Sequence, residues 1–286
     1  MLTRSQLKDI FARYGFSPLK RLGENYLIDS NIKDKIIAAA GVGRDDTVLE
    51  IGPGLGGLTF DLARTGADVL AIEKDRKACR ILKVLARDEF PNLKIFNEDI
   101  LKFNLGGYAF IKKIKVVGNL PYYITSPIIE LVINNRSVIE SAVVMVQREV
   151  AWRILAKPGS KDYSAFSLFV QFYTQPENIY TVKRTCFYPS PDVDSCIVRL
   201  NILDKPPVDV TDEALLFRII RGSFNQRRKS IINSLSREAV LGISKKKLAS
   251  ILGKAGIDPA ARPEDLSITD FAKIADTVKG VRPYNK

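Results

Sequence analysis

The tightest constraint on how this chain can fold is a rhythm. Short apolar, β-branched runs, TVLEI (47–51), ADVLAIE (67–73), LKIFNED (93–99), IKVVGN (114–119) and SAVVMVQ (141–147), alternate with stretches whose apolar residues follow helical spacing. Such runs lack the in–out alternation of a half-solvated sheet, so they suit strands buried on both faces. Helices between them would supply the covering layers, as in βαβ units with a mostly parallel sheet. Asp29 or Ser30 can cap the first of these helices, with Ile32, Ile36, Ile37 and Ala40 on its apolar face. Further along, SLFVQFY (167–173) and VDSCIVRLNI (193–202) read as two strands closing the sheet, and Pro206-Pro207 marks a linker. Residues 211–279 carry only helical patterns. The expected architecture is therefore an α/β, Rossmann-like domain over 1–204 and a small all-helical domain over 205–286.

Composition removes whole classes of chemistry. The 286 residues include no histidine, which excludes Ser-His-Asp catalysis and the common His-ligated metal sites. Three scattered cysteines, Cys79, Cys186 and Cys196, make neither a disulfide framework nor a C-x-x-C zinc site, so no metal is expected. No apolar run approaches the ~20 residues that span a bilayer, and MLTRSQLKDIFARYGF has no signal-peptide core. The chain reads as a cytoplasmic protein with no membrane partner. Its net charge of +12 is uneven: between Arg218 and Lys247 nine Lys and Arg face one acid, Glu238. Most charge runs are merely solvated helix faces, but one this lopsided favours a polyanionic partner.

The first strand runs into Glu50-Ile-Gly52-Pro-Gly54-Leu-Gly56-Gly57. Glycines belong where backbone turns tightly and comes close to a ligand. Gly52, Gly54 and Gly57 satisfy G-x-G-x-x-G, and Glu73, at the end of the next strand, suits ribose hydroxyls. This much specifies an adenosine-containing cofactor, either NAD or S-adenosylmethionine. Glu50 beside the loop welcomes a cationic amino-acid moiety and repels pyrophosphate, while Asp99 after the third strand can accept from an adenine amine. Either acid alone would be an ordinary strand-end residue. Three acids at the carboxyl ends of consecutive strands, where open α/β sheets bind ligands, favour S-adenosylmethionine.

The fourth strand ends in Asn119-Leu120-Pro121-Tyr122. An exocyclic adenine amine is a poor nucleophile because its lone pair is delocalised into the ring. Acceptors aimed at its two N–H groups localise that pair, and the Asn119 side-chain oxygen and Leu120 carbonyl could serve. Pro121 stiffens the turn, and Tyr122 offers a face for an extruded base. In isolation the tetrapeptide is a turn signal with a packed aromatic; after the glycine loop, Glu73 and Asp99 in order, the functional reading is preferred.

These motifs, with KRLGENYLID (20–29), QREVAWRILAKPGSKDYS (147–164), FYPSPDVDS (187–195), FNQRRKSIINSL (224–235) and RPEDLSITDF (262–271), resemble the small-subunit (16S) ribosomal RNA adenine dimethyltransferases, the kasugamycin-resistance family, over nearly the whole chain. The resemblance implies a Rossmann-like methyltransferase domain with a small helical domain. It implies dimethylation of two adjacent adenosines in a hairpin near the 3′ end of small-subunit rRNA. Because a basic chain would bind RNA hairpins only loosely by charge alone, the expected partner is rRNA within an immature 30S particle, and the expected state is a monomer. The resemblance also implies that segment 1–30 covers the cofactor through Asn25 and Leu27, that Gly52 lies against its methionine part, that Asn119 stands beside the transferring methyl, and that Tyr122 and Phe187 sandwich the target base. Arg221, Arg227, Arg228 and Lys229 suit phosphate contact rather than base reading. Where the family often has Gln-Asn-Phe or Gln-His-Phe, this chain has Glu24-Asn25-Tyr26. The rival readings are a large-subunit adenine methylase of the macrolide-resistance type, whose motif usually reads Asn-Ile-Pro-Tyr, an NAD oxidoreductase, and an assembly factor that only grips RNA.

Overall fold

A computed structural model describes residues 2–18, 25–87, 89–107, 110–237 and 242–281. It divides into two compact units, one of residues 1–151 with 175–202 and one of residues 152–174 with 203–286. Segment 152–174, placed by sequence in the α/β domain, thus groups with the C-terminal helices.

In the first unit the described strands run β1 (Tyr26–Leu27), β2 (Thr47–Ile51), β3 (Asp68–Glu73), β4 (Leu93–Asn97), β5 (Ile114–Asn119), β6 (Ile139–Gln147), β7 (Thr174–Val182), β8 (Phe187–Tyr188) and β9 (Ser195–Ile202). The main sheet has the order β4-β3-β2-β5-β6-β9-β7, parallel from β4 to β6, with β9 antiparallel to β6. The five parallel strands fall where the apolar runs predict them. Val48, Val69, Val117 and Val143 of the parallel strands and Ile197 of β9 form one core with Ile32, Ile36 and Ala40 of α2 (Ser30–Ala40) and Leu62 of α3 (Thr59–Arg64). Helix α2 begins where expected, its N-cap Asp29 accepting from the amides of Asn31 and Ile32 at 2.9 and 3.2 Å. Asp75 caps α4 (Arg76–Ala86) likewise, and α5 (Thr125–Asn134) packs on β6.

Two features differ from the sequence reading. After α6 (Arg148–Leu155), SLFVQFY is helical, within α7 (Ala165–Tyr173), and the strand expected there is the next segment, TQPENIYTV, which is β7. A reciprocal capping box between Ser164 and Ser167 starts the helix. The Gln171 side-chain amide then donates to the carbonyls of Ile154 and Ala156 at 2.8 and 2.9 Å. Strand β7 lies at the sheet edge, where Pro176 and polar side chains are tolerated.

Near residue 1, α1 (Arg4–Tyr14) carries its own capping box, Thr3 with Gln6, and ends on Gly15. Its apolar face, Leu7 and Ile10, packs with Leu55, Ala78 and Ile81, and Phe11 meets the rings of Tyr26 and Tyr188 at 5.9 and 6.1 Å. Tyr26 and Leu27 pair antiparallel with Tyr188 and Phe187 in a two-residue ladder, β1 with β8.

In the second unit, α8 (Glu213–Phe224) packs with α7, α9 (Ile231–Leu235) and α11 (Ile268–Val281), and α10 (Lys245–Lys254) packs with α9 and α11. Phe217 of α8 sits among Phe169, Phe172 and Tyr173 of α7, with centroids 5.2–5.6 Å apart. These aromatic contacts are what make segment 152–174 part of the helical unit.

Candidate active site

The sheet's connectivity fixes where a ligand can enter. From β2 the chain winds outward through β3 to β4, then returns to the opposite side of β2 as β5, so the switch point lies between the carboxyl ends of β2 and β5. A cleft opens there, and Asn25, Leu27, Glu50, Gly52, Gly54, Glu73, Asp99, Asn119 and Pro121 line it together. Leu2, which precedes α1, and Leu7 of α1 line it too. Glu24 lies outside the described residues.

The glycine loop works by absence of side chains. Gly52, Gly54 and Gly56 have positive φ. A Cβ on Gly54 would fall 2.9 Å from the Tyr26 ring, so the loop and the covering segment approach only because that position is bare. Gly118 has the same function for the sheet: a Cβ there would meet the Ile51 carbonyl oxygen at 2.8 Å. The ends of β2 and β5 can therefore converge.

Each acid has a different electrostatic state. Glu50 is only 2% exposed, and its Oε2 has no hydrogen-bond partner. Burial pushes its pKa up to about 8, opposed by the nearby Thr59 hydroxyl and aided by the charge of Glu73. A buried, unsatisfied carboxyl that gains a charge only reluctantly is well matched to a cationic partner arriving from the cleft. Glu73 is buried as well, which raises its pKa, although the amides of Gly54 and Asp75 donate to its two oxygens at 2.9 and 2.7 Å. Asp99 behaves oppositely. Lys74 contacts its Oδ2 at 2.8 Å and the Leu101 amide its Oδ1 at 3.1 Å, and these hold its pKa down. Sequence reasoning missed Lys74, which also lines the cleft; its place directly after Glu73 was the available signal.

Asn119 donates from Nδ2 to the Asn25 carbonyl at 2.8 Å, which ties the end of β5 to the covering segment and orients the amide. Pro121 has φ −61 and ψ 128, an extended turn entering the helical turn Tyr122–Ile124, and the Leu120 amide is anchored on the Met145 carbonyl at 3.0 Å. Leu120 itself is buried.

Neither of the two predicted aromatics lines the cleft. Tyr122 is half-buried and its hydroxyl is hydrogen-bonded to Ser195 Oγ at 2.8 Å. Phe187 is 3% exposed, packed in the core with Leu27 and Val182, so in this conformation no face of its ring is open to a base. The cause is the β1–β8 ladder, which sets Phe187 opposite Leu27. Tyr123, by contrast, lines the cleft at 49% exposure. The doubled Tyr122-Tyr123 was its only mark in the sequence.

The predicted RNA contacts lie in the second unit. Arg221 on α8 and Arg228 and Lys229 in the following turn are exposed. Arg227 differs: its Nε donates to Glu264 Oε2 at 2.5 Å and its Nη2 to the Ser160 carbonyl at 3.3 Å. Its guanidinium is thus engaged within the unit while its side chain stays 38% exposed, which sets it apart from Arg221, Arg228 and Lys229. Among the described residues no cluster of His, Cys, Asp and Glu could hold a metal, and no helix is long and apolar enough to cross a membrane.

The chain is similar to known proteins over nearly its whole length. The Ribosomal RNA small subunit methyltransferase A of Geobacillus thermodenitrificans is 44% identical over 284 residues, covering 96% of both chains. That of Moorella thermoacetica is 45% identical over 276 residues, covering 93% of this chain and 94% of its own. The crystal structure of a dimethyladenosine transferase from Plasmodium falciparum superposes with a TM-score of 0.76 at 29% identity, over 87% of this chain and 95% of that one. The 23S rRNA methyltransferase ErmE gives a TM-score of 0.68 at 25% identity, over 89% of this chain and all of that one. The profile described as Ribosomal RNA adenine dimethylase matches residues 15–279, and the chain belongs to that family.

Proposed function

We propose that this protein transfers methyl groups from S-adenosylmethionine to the N6 amines of two adjacent adenosines in the 3′-terminal hairpin of small-subunit rRNA. The observation that carries the reading is the convergence of Glu50, Glu73, Asp99 and Asn119 on one cleft at the switch point of the sheet. The unpartnered, buried Glu50 oxygen fits the cationic amino group of the cofactor. Glu73, lining the cleft at the end of β3, suits the ribose hydroxyls, and Asp99 suits the adenine amine. Gly52, Gly54, Asn25 and Leu27 complete the walls. When bound, the cofactor supplies an electrophilic methyl group on a sulfonium.

The chain's own part is positioning. Because Nδ2 of Asn119 is committed to the Asn25 carbonyl, Oδ1 is left as an acceptor for one N–H of the target amine. The Leu120 carbonyl, stiffened by Pro121, accepts the other. Both acceptors strengthen as positive charge develops on nitrogen, which is where they accelerate transfer. No histidine is needed, since the amine loses its proton after it has become cationic. Tyr122 stacks on the target base, while Phe187 supports the site by packing. Arg221, Arg228 and Lys229 contact phosphates. We further propose that the protein acts as a cytoplasmic monomer on an immature 30S particle.

Among the rivals, the relatives at 44 and 45% identity carry a small-subunit name, against 25% for the 23S enzyme. The family assignment leaves nothing to support an NAD oxidoreductase. Nucleoside mass spectrometry of rRNA from cells lacking the gene tests the proposal. Dimethyladenosine should disappear from the small subunit; its loss from the large subunit instead would overturn the substrate assignment.

A further inference from the structure

The loop Lys157-Pro158-Gly159-Ser160-Lys161 has no regular secondary structure, yet it is fastened from several directions. The Gly159 amide donates to the Glu264 carbonyl oxygen at 2.7 Å, and Gly159 adopts φ 83, a left-handed turn. Arg227 joins the carboxylate of that same Glu264 to the carbonyl of Ser160. Just beyond the loop, buried Tyr163 donates through its hydroxyl to the Leu266 carbonyl at 3.1 Å. A strip of three residues, 264–266, thereby clamps the loop, and the Arg227 side chain is the bridge. Fixing a loop costs roughly 1–2 kcal/mol of conformational entropy per residue, so these contacts hold a surface loop in one shape at appreciable cost. What the loop presents is charge: Lys157 and Lys161 are both exposed, and the bond from Arg227 to Ser160 ties the loop that carries them to the turn that carries the exposed Arg228 and Lys229.

We propose that loop 157–161 and the turn 227–229 form one preorganised ledge that binds the phosphate backbone of structured RNA. Lys157, Lys161, Arg228 and Lys229 make the contacts. Arg227 and Glu264 act as positioning residues that never touch RNA. The ledge rests on the rRNA reading above and adds to it a second contact segment and a distinct role for Arg227. Phosphate contact fits because an ammonium on a flexible stem is a point charge without base-reading geometry.

The test is binding of the full-length protein to a fluorescein-labelled, in vitro transcribed RNA hairpin over a range of KCl concentrations. Lys157→Ala/Lys161→Ala should weaken binding and reduce the slope of log affinity against log salt by about 1.5, near the ~0.7–0.9 that each phosphate contact contributes. Glu264→Ala separates positioning from simple charge. It removes a negative charge and frees Arg227, so a direct phosphate contact by Arg227 would make binding tighter. A clamp predicts that Glu264→Ala weakens binding several-fold, that Arg227→Ala does the same, and that the double variant is no worse than either single. Both lysines are exposed, so their variant retains the fold even where a clamp variant does not. If the double lysine variant keeps the parental slope while Arg228→Ala/Lys229→Ala flattens it, the ledge is wrong and the rRNA reading stands. If Glu264→Ala tightens binding, Arg227 is a phosphate ligand and the clamp is wrong. If the unmodified protein shows no salt-dependent affinity for the hairpin, both readings fall together.

Discussion

Replacing Glu50 by glutamine keeps the shape of the side chain and removes its titration. In the folded chain burial moves that carboxyl from an ordinary 4.5 to about 8, a difference equivalent to up to about 5 kcal/mol in the cost of ionising it. At neutral pH the side chain is therefore mostly neutral, and capture of a cationic amino group requires it to give up a proton. Well below pH 8 the ionised fraction grows about tenfold per pH unit, so S-adenosylmethionine affinity should rise close to tenfold between pH 6 and 7. Above pH ~8 the gain stops, because the ligand's own α-amino group, ordinarily at ~8, begins to lose its charge. Isothermal titration in buffers of different ionisation enthalpy reads both quantities, and about one proton should be released per ligand bound at pH 6.5. Stability carries the opposite sign. The unfolded chain releases this proton near 4.5 and the folded chain near 8, so between those values the folded state holds more protons and loses stability as pH rises. Glu50→Gln should flatten both trends and bind the cofactor weakly at every pH. A wild-type affinity that is level from pH 6 to 7, with no proton released, would refute the idea that Glu50 receives the cation.

Gly118→Ala would push a methyl against the Ile51 carbonyl at 2.8 Å, so thermal unfolding should report a loss of about 1–3 kcal/mol and methyl transfer should fall with it. Asn119→Ala should cost at least ~10²-fold in the rate of methyl incorporation, as for loss of a transition-state hydrogen bond, with RNA affinity unchanged in a filter-binding assay. Tyr122→Phe removes the bond to Ser195 at a cost of about 1 kcal/mol in denaturant unfolding but leaves the ring, so turnover should persist; Tyr122→Leu should abolish it. If Tyr122→Leu retains full activity, the ring does not stack on the base.

The parallel strands were legible because burial on both faces selects unbroken β-branched runs, and Val48, Val69 and Val117 have no other use. The same logic failed at SLFVQFY, where seven mostly apolar residues are compatible with either period. The deciding features were local polar ones, the Ser164–Ser167 box and the reach of Gln171 to two carbonyls. Strand β7 was hidden for the complementary reason, since an edge strand needs only one buried face and can carry Pro and Glu. At the site, Glu50, Glu73, Asp99 and Asn119 were readable because strand ends are placed by topology alone. Pairings across long sequence separations were not readable: Arg227 with Glu264, Asn119 with Asn25, and Leu27 with Phe187, which turned an expected stacking ring into core.

The short ladder between residues 26–27 and 187–188 also sets a timetable for the newborn polypeptide. Some 160 residues must be translated between its two halves, which at ~5–20 residues per second takes about ten to thirty seconds. The first helix finds its apolar neighbours at Leu55, Ala78 and Ile81 well before that. Synthesis thus completes the floor of the cleft early and fastens its latch late, so the nascent enzyme passes through an interval in which the donor site exists but is not yet closed over.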